Sequence, residues 1–143
     1  MGRVEGKVAI VTGGSMGLGK AMAEMLARED AKVVVTDIKA DEGQKVVDGI
    51  KSAGGEAVFI KHDVSKEDQW EQVIQKTVDT YGKLDVCVNN AGVAYPGNAE
   101  EASLDDWKKL MAINLDGVFL GTKHSIKAMK NSGGGSIINL SSI

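Results

Sequence analysis

The stretch from Lys7 to Asp37 constrains the fold more than any other part of the chain. Val8-Ala9-Ile10-Val11 is a short apolar run without a polar face, as expected of a strand buried on both sides. It leads directly into Thr12-Gly13-Gly14-Ser15-Met16-Gly17-Leu18-Gly19, and an amphipathic segment follows. A second apolar run, Val33-Val34-Val35, ends at Thr36-Asp37. Strand, glycine turn, helix, strand and acid together make the layout of a βαβ unit that holds a dinucleotide. Glycines let the backbone turn tightly and approach a pyrophosphate with no Cβ in the way. A helix opening near Gly17 offers unpaired N–H groups and the positive end of its dipole to the phosphates. Asp37 lies 18 residues beyond Gly19, close to the spacing of about 20 at which such a site places its ribose-binding acid.

A rival reading fails on one position. Gly14 to Lys20 spells G-x-x-x-x-G-K, a phosphate-binding loop, but Ala21 stands where a Ser or Thr would hold Mg²⁺. The other acid such an enzyme needs ends a strand, whereas Asp85 in Leu84-Asp85-Val86 begins one. Composition narrows the class further. A net charge of −3 gives no basic face for nucleic acid or an anionic membrane. No apolar stretch reaches the length of a membrane span, and Gly6 breaks the myristoylation pattern that Met1-Gly2 begins. The single cysteine, Cys87, forms no internal disulfide and sits in an apolar run as core filler. A soluble cytoplasmic protein is the expectation.

Strand and helix alternate along the whole chain. After the glycine loop, Leu18, Met22, Met25 and Leu26 recur at helical spacing as the apolar face. Asp41 to Ala53 is a helix with Val46, Val47 and Ile50 inward, stopped by Gly54-Gly55. Ala57 to His62 is a third strand, followed by Asp63-Val64. Ser65 is placed to cap a helix carrying Trp70, Val73, Ile74, Thr77, Val78 and Tyr81, which Gly82 ends. Asp85 to Val88 is a fourth strand flowing into Asn89-Asn90-Ala91-Gly92. Ser103 caps a helix with Trp107, Leu110, Met111 and Ile113 apolar, and Gly117 to Lys130 is helical again. Ser136 to Leu140 is a fifth strand, with Ile137, Ile138 and Leu140 apolar on both faces and open to pairing. His62 and His124, far apart and without metal-ligand spacing, read as surface or satisfied polar residues. The pattern predicts a single α/β domain over residues 1–143, with a parallel sheet and helices on both faces.

The glycine spacing, G-x-x-x-G-x-G over Gly13, Gly17 and Gly19 with Thr12 in front, resembles the short-chain dehydrogenase/reductase family. The resemblance covers the chain and implies a Rossmann-type doubly wound sheet of five strands in order 3-2-1-4-5, incomplete at its C-terminal side. It implies NAD as cofactor, held by Gly13, Ser15, Met16, Gly17, Leu18, Gly19, Asp37, Ile38, Asp63, Val64, Asn90, Ala91 and Gly92. On the residues alone, Asp63 reads equally as a solvated acid at a helix start, and Asn89 to Gly92 as a turn. The family's proton-relay asparagine matches Asn114, and its substrate-binding serine matches Ser142. Read unaided, these would be a helix-end amide and a turn serine.

The same resemblance implies hydride transfer between a secondary alcohol or ketone and nicotinamide, with a small-molecule partner and a homo-oligomeric full-length form. It also exposes a gap. The family's base is a tyrosine with a lysine four residues later. Here Tyr81 is followed at that distance by Asp85, and Tyr95 by Ala99. The chain therefore reads as the cofactor-binding front of a longer enzyme. A non-catalytic dinucleotide-binding module is the alternative.

Overall fold

The central apolar runs become strands because their neighbours bury both of their faces. The computed structural model describes residues 1–142. Strands β1 (Val8–Thr12), β2 (Lys32–Asp37), β3 (Glu56–Lys61), β4 (Val86–Asn89) and β5 (Ser136–Asn139) form one sheet in the order β3-β2-β1-β4-β5. All four pairings are parallel, and Val11 of the central β1 stands opposite Val35 of β2 and Val88 of β4. The order is the one the family resemblance implies. Strand limits differ by a residue or two from the sequence reading, the usual scatter at element ends.

Alternation along the strands sends successive residues to opposite faces. Val11, Val33 and Val35 face helices α1 (Gly17–Arg28) and α2 (Ala40–Ser52), where they meet Ala23, Ala27, Val46, Val47 and Ile50. Ile10 and Val34 face α3 (Glu67–Tyr81) and α5 (Gly117–Lys130), meeting Trp70, Val73, Leu120 and Met129. Cys87 is fully buried in this second layer, and burial pushes its thiol up to about 11, so it is unreactive filler at neutral pH. Between β4 and α5 lies α4 (Leu104–Met111), continued by a π-helical turn over Ala112–Asp116. Gly82, at φ +82°, ends α3, and Gly54, at φ +87°, follows α2. At the β5 edge, Ile138 and Leu140 are exposed.

Three expectations need correction. The buried face of α1 is not the Leu18 and Met25 face: these side chains are 71% and 48% exposed, while Gly19, Ala23 and Ala27 are buried. The reason is distance. A Cβ at Gly19 would overlap the Gly13 carbonyl oxygen and the Asn90 amide, so this helix must approach through small residues. Ser65 does not cap α3, whose N-cap position is Lys66. Its hydroxyl and N–H instead donate to Asp63 Oδ1 at 2.6 and 3.0 Å, forming a local turn. Ser103 does cap α4, accepting from the Asp106 N–H at 3.0 Å.

The third correction is His62, which is 2% exposed rather than at the surface. It continues the Val58 and Ile60 side of β3 onto the face covered by α3. There it stands edge-on to Trp70, with ring centroids 4.5 Å apart. Its Nδ1 lies 3.0 Å from Thr36 Oγ1, and Nε2 has no hydrogen-bond partner. His124 is also buried, but its Nε2 meets Glu67 Oε1 at 2.9 Å and is satisfied.

Burial pushes the His62 imidazole down to about 4, against a smaller upward pull from Asp63. The unfolded chain therefore binds this proton at a higher pH than the folded one, and stability falls as pH drops from 6.5 towards 4. Denaturant unfolding at pH 7 and pH 5 should show a loss of about 2 kcal/mol at the lower pH. His62→Gln should flatten the profile between those two values. Gly19→Ala should destabilise by roughly 1–3 kcal/mol through overpacking, measured by the same unfolding curves, with no compensation from its better helix propensity.

Candidate dinucleotide site

The sheet reverses its strand order between β1 and β4, and both strands end in loops that bond to each other. Thr12 Oγ1 accepts the N–H groups of Asn90 and Ala91, each at 3.0 Å, and donates to the Val88 carbonyl at 3.3 Å. The Asn90 side-chain amide donates in return to the carbonyls of Thr12 and Gly13 at 3.0 and 3.2 Å. Gly13 and Gly17 adopt φ of +62° and +53°, the left-handed region that side chains disfavour. A Cβ at Gly17 would meet nothing within 4 Å, so the space before the first turn of α1 is open. No side chain caps that turn, and its N–H groups are left for an anion.

In front of these loops lies a cleft of about 470 Å³. It brings together most of the residues picked out in the sequence. Gly13, Met16, Leu18 and Gly19 come from the glycine loop, and Asp37 and Ile38 from the tip of β2. Asp63 and Val64 come from beyond β3, and Asn90, Ala91 and Gly92 from beyond β4. The cleft therefore has a glycine floor, open helix N–H groups and two carboxylates, a donor and acceptor set that fits a dinucleotide. Desolvation raises the Asp63 carboxyl, but hydrogen bonds from Ser65 and the charges of Lys66 and His62 outweigh it and leave it below its usual value. Lys39 is the one cation among the lining residues, its Nζ 3.8 Å from Met16 Sδ.

Four of the predicted residues stand outside that lining. Ser15 is 6% exposed and donates both its N–H and its hydroxyl to Asp37 Oδ2, at 3.1 and 2.7 Å. Gly17 stands at the start of α1. Asn114 sits on the π-helical turn. Its Oδ1 accepts the Val93 N–H at 2.8 Å, and its Nδ2 donates to the Val93 carbonyl at 2.7 Å. Ser142 is exposed and lies beyond β5, at the carboxyl end of the sheet.

The sequence reading missed four lining residues, Lys39, His62, Val93 and Ile113. Each is the immediate neighbour of a residue it did pick, so adjacency was the only signal for them. Lys20, the lysine of the rival phosphate loop, is turned along α1 to Glu24 at 3.9 Å and is not among the lining residues.

Residues 7–143 match the sequence pattern of the family described as short chain dehydrogenase. An uncharacterized oxidoreductase of Thermotoga maritima is 49% identical over 96% of this chain and 54% of its own length. The NADP-dependent (R)-specific alcohol dehydrogenase of Lentilactobacillus kefiri is 47% identical over 99% of this chain and 56% of its own. A 3-beta-hydroxysteroid dehydrogenase of Comamonas testosteroni is 42% identical over 99% and 54% respectively. Among solved structures, a double mutant of a Serratia marcescens short-chain dehydrogenase/reductase superposes with a TM-score of 0.90 at 37% identity, over 97% of this chain and 56% of that one. The chain thus spans about half the length of the curated relatives it matches. Its glycine spacing, its strand order and a sequence match that runs from Lys7 onward leave one conclusion: the chain belongs to the short-chain dehydrogenase family.

Proposed function

We propose that this chain holds NAD(H) and serves reversible hydride transfer between a secondary alcohol and its ketone. The nicotinamide, when bound, gives or takes the hydride. The observation that carries the cofactor choice is the Asp37 carboxylate at the mouth of the cleft. It would accept from a ribose hydroxyl and repel a 2′-phosphate. The Lentilactobacillus kefiri relative is NADP-dependent by name, so cofactor preference must be argued for this chain from its own residues. Here Met16 gives the glycine loop no cation, Asp63 adds a second negative charge, and Lys39 is the only countercharge in the lining.

Gly13, Gly17 and the opening turn of α1 would hold the pyrophosphate, with Ile38 and Val64 against the adenine. Asn90, Ala91 and Gly92 would admit the rest of the cofactor closely. Ser142 would hydrogen-bond the substrate oxygen, and Asn114 would hold a relay water. Neither tyrosine in the chain suits the role of base. Tyr81 is pushed up by burial and by Glu56, the wrong direction for taking a proton at neutral pH. A Tyr-x-x-x-Lys pair is not present among the 143 residues, and the reading needs one. Small alcohols or ketones are the proposed partners, in a cytoplasmic homo-oligomer. No helix among the described residues is long and apolar enough to cross a membrane.

Fluorescence titration should give tighter binding of NADH than of NADPH by on the order of 10-fold, the equivalent of one repulsion of about 1.4 kcal/mol. The reverse order would overturn the role given to Asp37. The 143-residue chain alone should oxidise NADH with no ketone of a test panel, read at the NADH absorbance band. Turnover by that chain would mean that its base is one of the groups set aside above.

A further inference from the structure

We propose that Ser15 is a positioning residue for dinucleotide selection, holding the Asp37 carboxylate in the one orientation that reads the adenosine ribose. The inference rests on the NAD(H) reading above and assigns Ser15 a different task from contact with the cofactor. Three fixed donors meet this carboxylate. Ser15 Oγ and the Ser15 N–H reach Oδ2 at 2.7 and 3.1 Å, and the Lys39 N–H reaches Oδ1 at 3.1 Å. Two of the three are backbone groups, and the third belongs to a side chain that is almost wholly buried. The backbone itself is held by the Gly14 N–H, which donates to the Thr36 carbonyl at 3.0 Å, one residue before Asp37.

A carboxylate offers about four acceptor positions. Three are used within the chain, which leaves one, on Oδ1, for a ribose hydroxyl. Without the Ser15 hydroxyl, the Asp37 carboxylate would lose the shortest of its three bonds and keep only the two backbone donors at 3.1 Å, so it would swing away from an approaching phosphate and into water more readily. Its charge would then be screened, and the repulsion that excludes a 2′-phosphate would weaken. With Ser15, the charge cannot retreat. Discrimination therefore depends on a hydroxyl that need not touch either cofactor.

The link also joins the two ends of the site. The loop facing the pyrophosphate and the acid facing the ribose share one hydrogen-bonded unit, so losing Asp37 should loosen the loop at Ser15 as well. A general structural role for Ser15 predicts something else: equal loss for both cofactors.

The experiment is a double-mutant cycle on the whole 143-residue chain, with far-UV circular dichroism to confirm that each variant is folded. NADH and NADPH are titrated into wild type, Ser15→Ala, Asp37→Ala and the double variant. Amide hydrogen exchange at Ser15 is measured without cofactor. Ser15→Ala should weaken NADH binding by roughly 5- to 10-fold, the scale of a hydrogen bond to a charged group, and tighten NADPH binding by about 2-fold or more as the repulsion weakens. In the Asp37→Ala background, Ser15→Ala should change the ratio of the two affinities no further. Asp37→Ala should speed exchange at the Ser15 amide by about 10-fold or more.

Equal losses for the two cofactors, or unchanged exchange at Ser15, would overturn the proposal. A wild type that prefers NADPH would overturn the NAD(H) reading and the selection role together. The exchange measurement needs no cofactor, so it judges the Ser15–Asp37 link even where the cofactor reading fails.

Discussion

The Thr12 hydroxyl fastens the two halves of the sheet at the point where the strand order reverses. The chain builds outward from β1 to β2 and β3, then returns to place β4 on the other side of β1. Such a reversal opens a crevice at the carboxyl ends of the strands, and the backbone lining it has no strand partner. One side chain, 1% exposed, bonds three backbone groups at that point: it accepts from Asn90 and Ala91 beyond β4 and donates to Val88 near the end of β4. Valine has almost the same shape as threonine, but it would strip the Ala91 N–H of its bond at a cost of about 1–3 kcal/mol, while the Asn90 N–H and the Val88 carbonyl would keep only their bond to each other at 3.1 Å. At the amino end of the same strand pair, Asp85 Oδ2 accepts the Val8 N–H and meets Lys83 Nζ, both at 2.9 Å. Desolvation raises the Asp85 carboxyl, but those two partners, helped by Lys7, outweigh it and hold it below its usual value. The central strand pair is therefore fixed at both ends by side chains, and the glycine loop inherits its position from that fixing.

Close approach is the second constraint. The helices that flank the crevice approach the glycine loop and β4 through residues that carry no side chain. In α1 the contact is Gly19. In α5 it is Gly121, where a Cβ would run into the Asn89 side chain and the Trp70 ring. Because Gly121 yields that space, Asn89 can turn its amide to Asn139 Oδ1 at 2.8 Å, across the pair in which these two residues stand opposite each other. A hydrogen bond between directly opposed side chains penalises any slip of register. The position of β5, and with it the direction of the chain towards Ser142, depends on a glycine in a helix and an amide in a strand.

How much of this was legible follows from which interactions leave a periodic trace. The central strands and the αL glycines at Gly54 and Gly82 were readable because burial on two faces and helix termination each have a sequence signature, and the parallel sheet followed from the alternation of strand and helix, while the strand order came only with the family resemblance. The face of α1 was misread because hydrophobic periodicity selects large residues, whereas contact with a glycine loop selects small ones. Ser65 was misread because a serine before a helix can bond forward to the helix or back to an acid, and Asp63 stood two residues behind it. His62 carried no signal at all: whether a histidine at a strand end is buried depends on a Trp eight residues on packing against its ring. Ser15 was placed in the right motif, but its geometry ties it to Asp37, a partner 22 residues away that no local pattern reveals.

The π-helical turn at Ala112–Asp116 shows how the far wall of the cleft is held. An α-helix carried straight through would keep every backbone bond and turn its side chains at a constant angle. The wider turn gives up some of that regularity, a feature common at functional sites. Here it sets Asn114 against Val93, and the side-chain amide bonds that residue as a neighbouring strand would, accepting from its N–H and donating to its carbonyl. The loop after Gly92 has no sheet partner of its own, so Asn114 supplies what the sheet does not. Held in this way, Val93 and Ile113 both line the cleft. The amide has one N–H and one lone pair left after bonding Val93, enough to hold a water. Asn114 can therefore fix the wall and still hold a water.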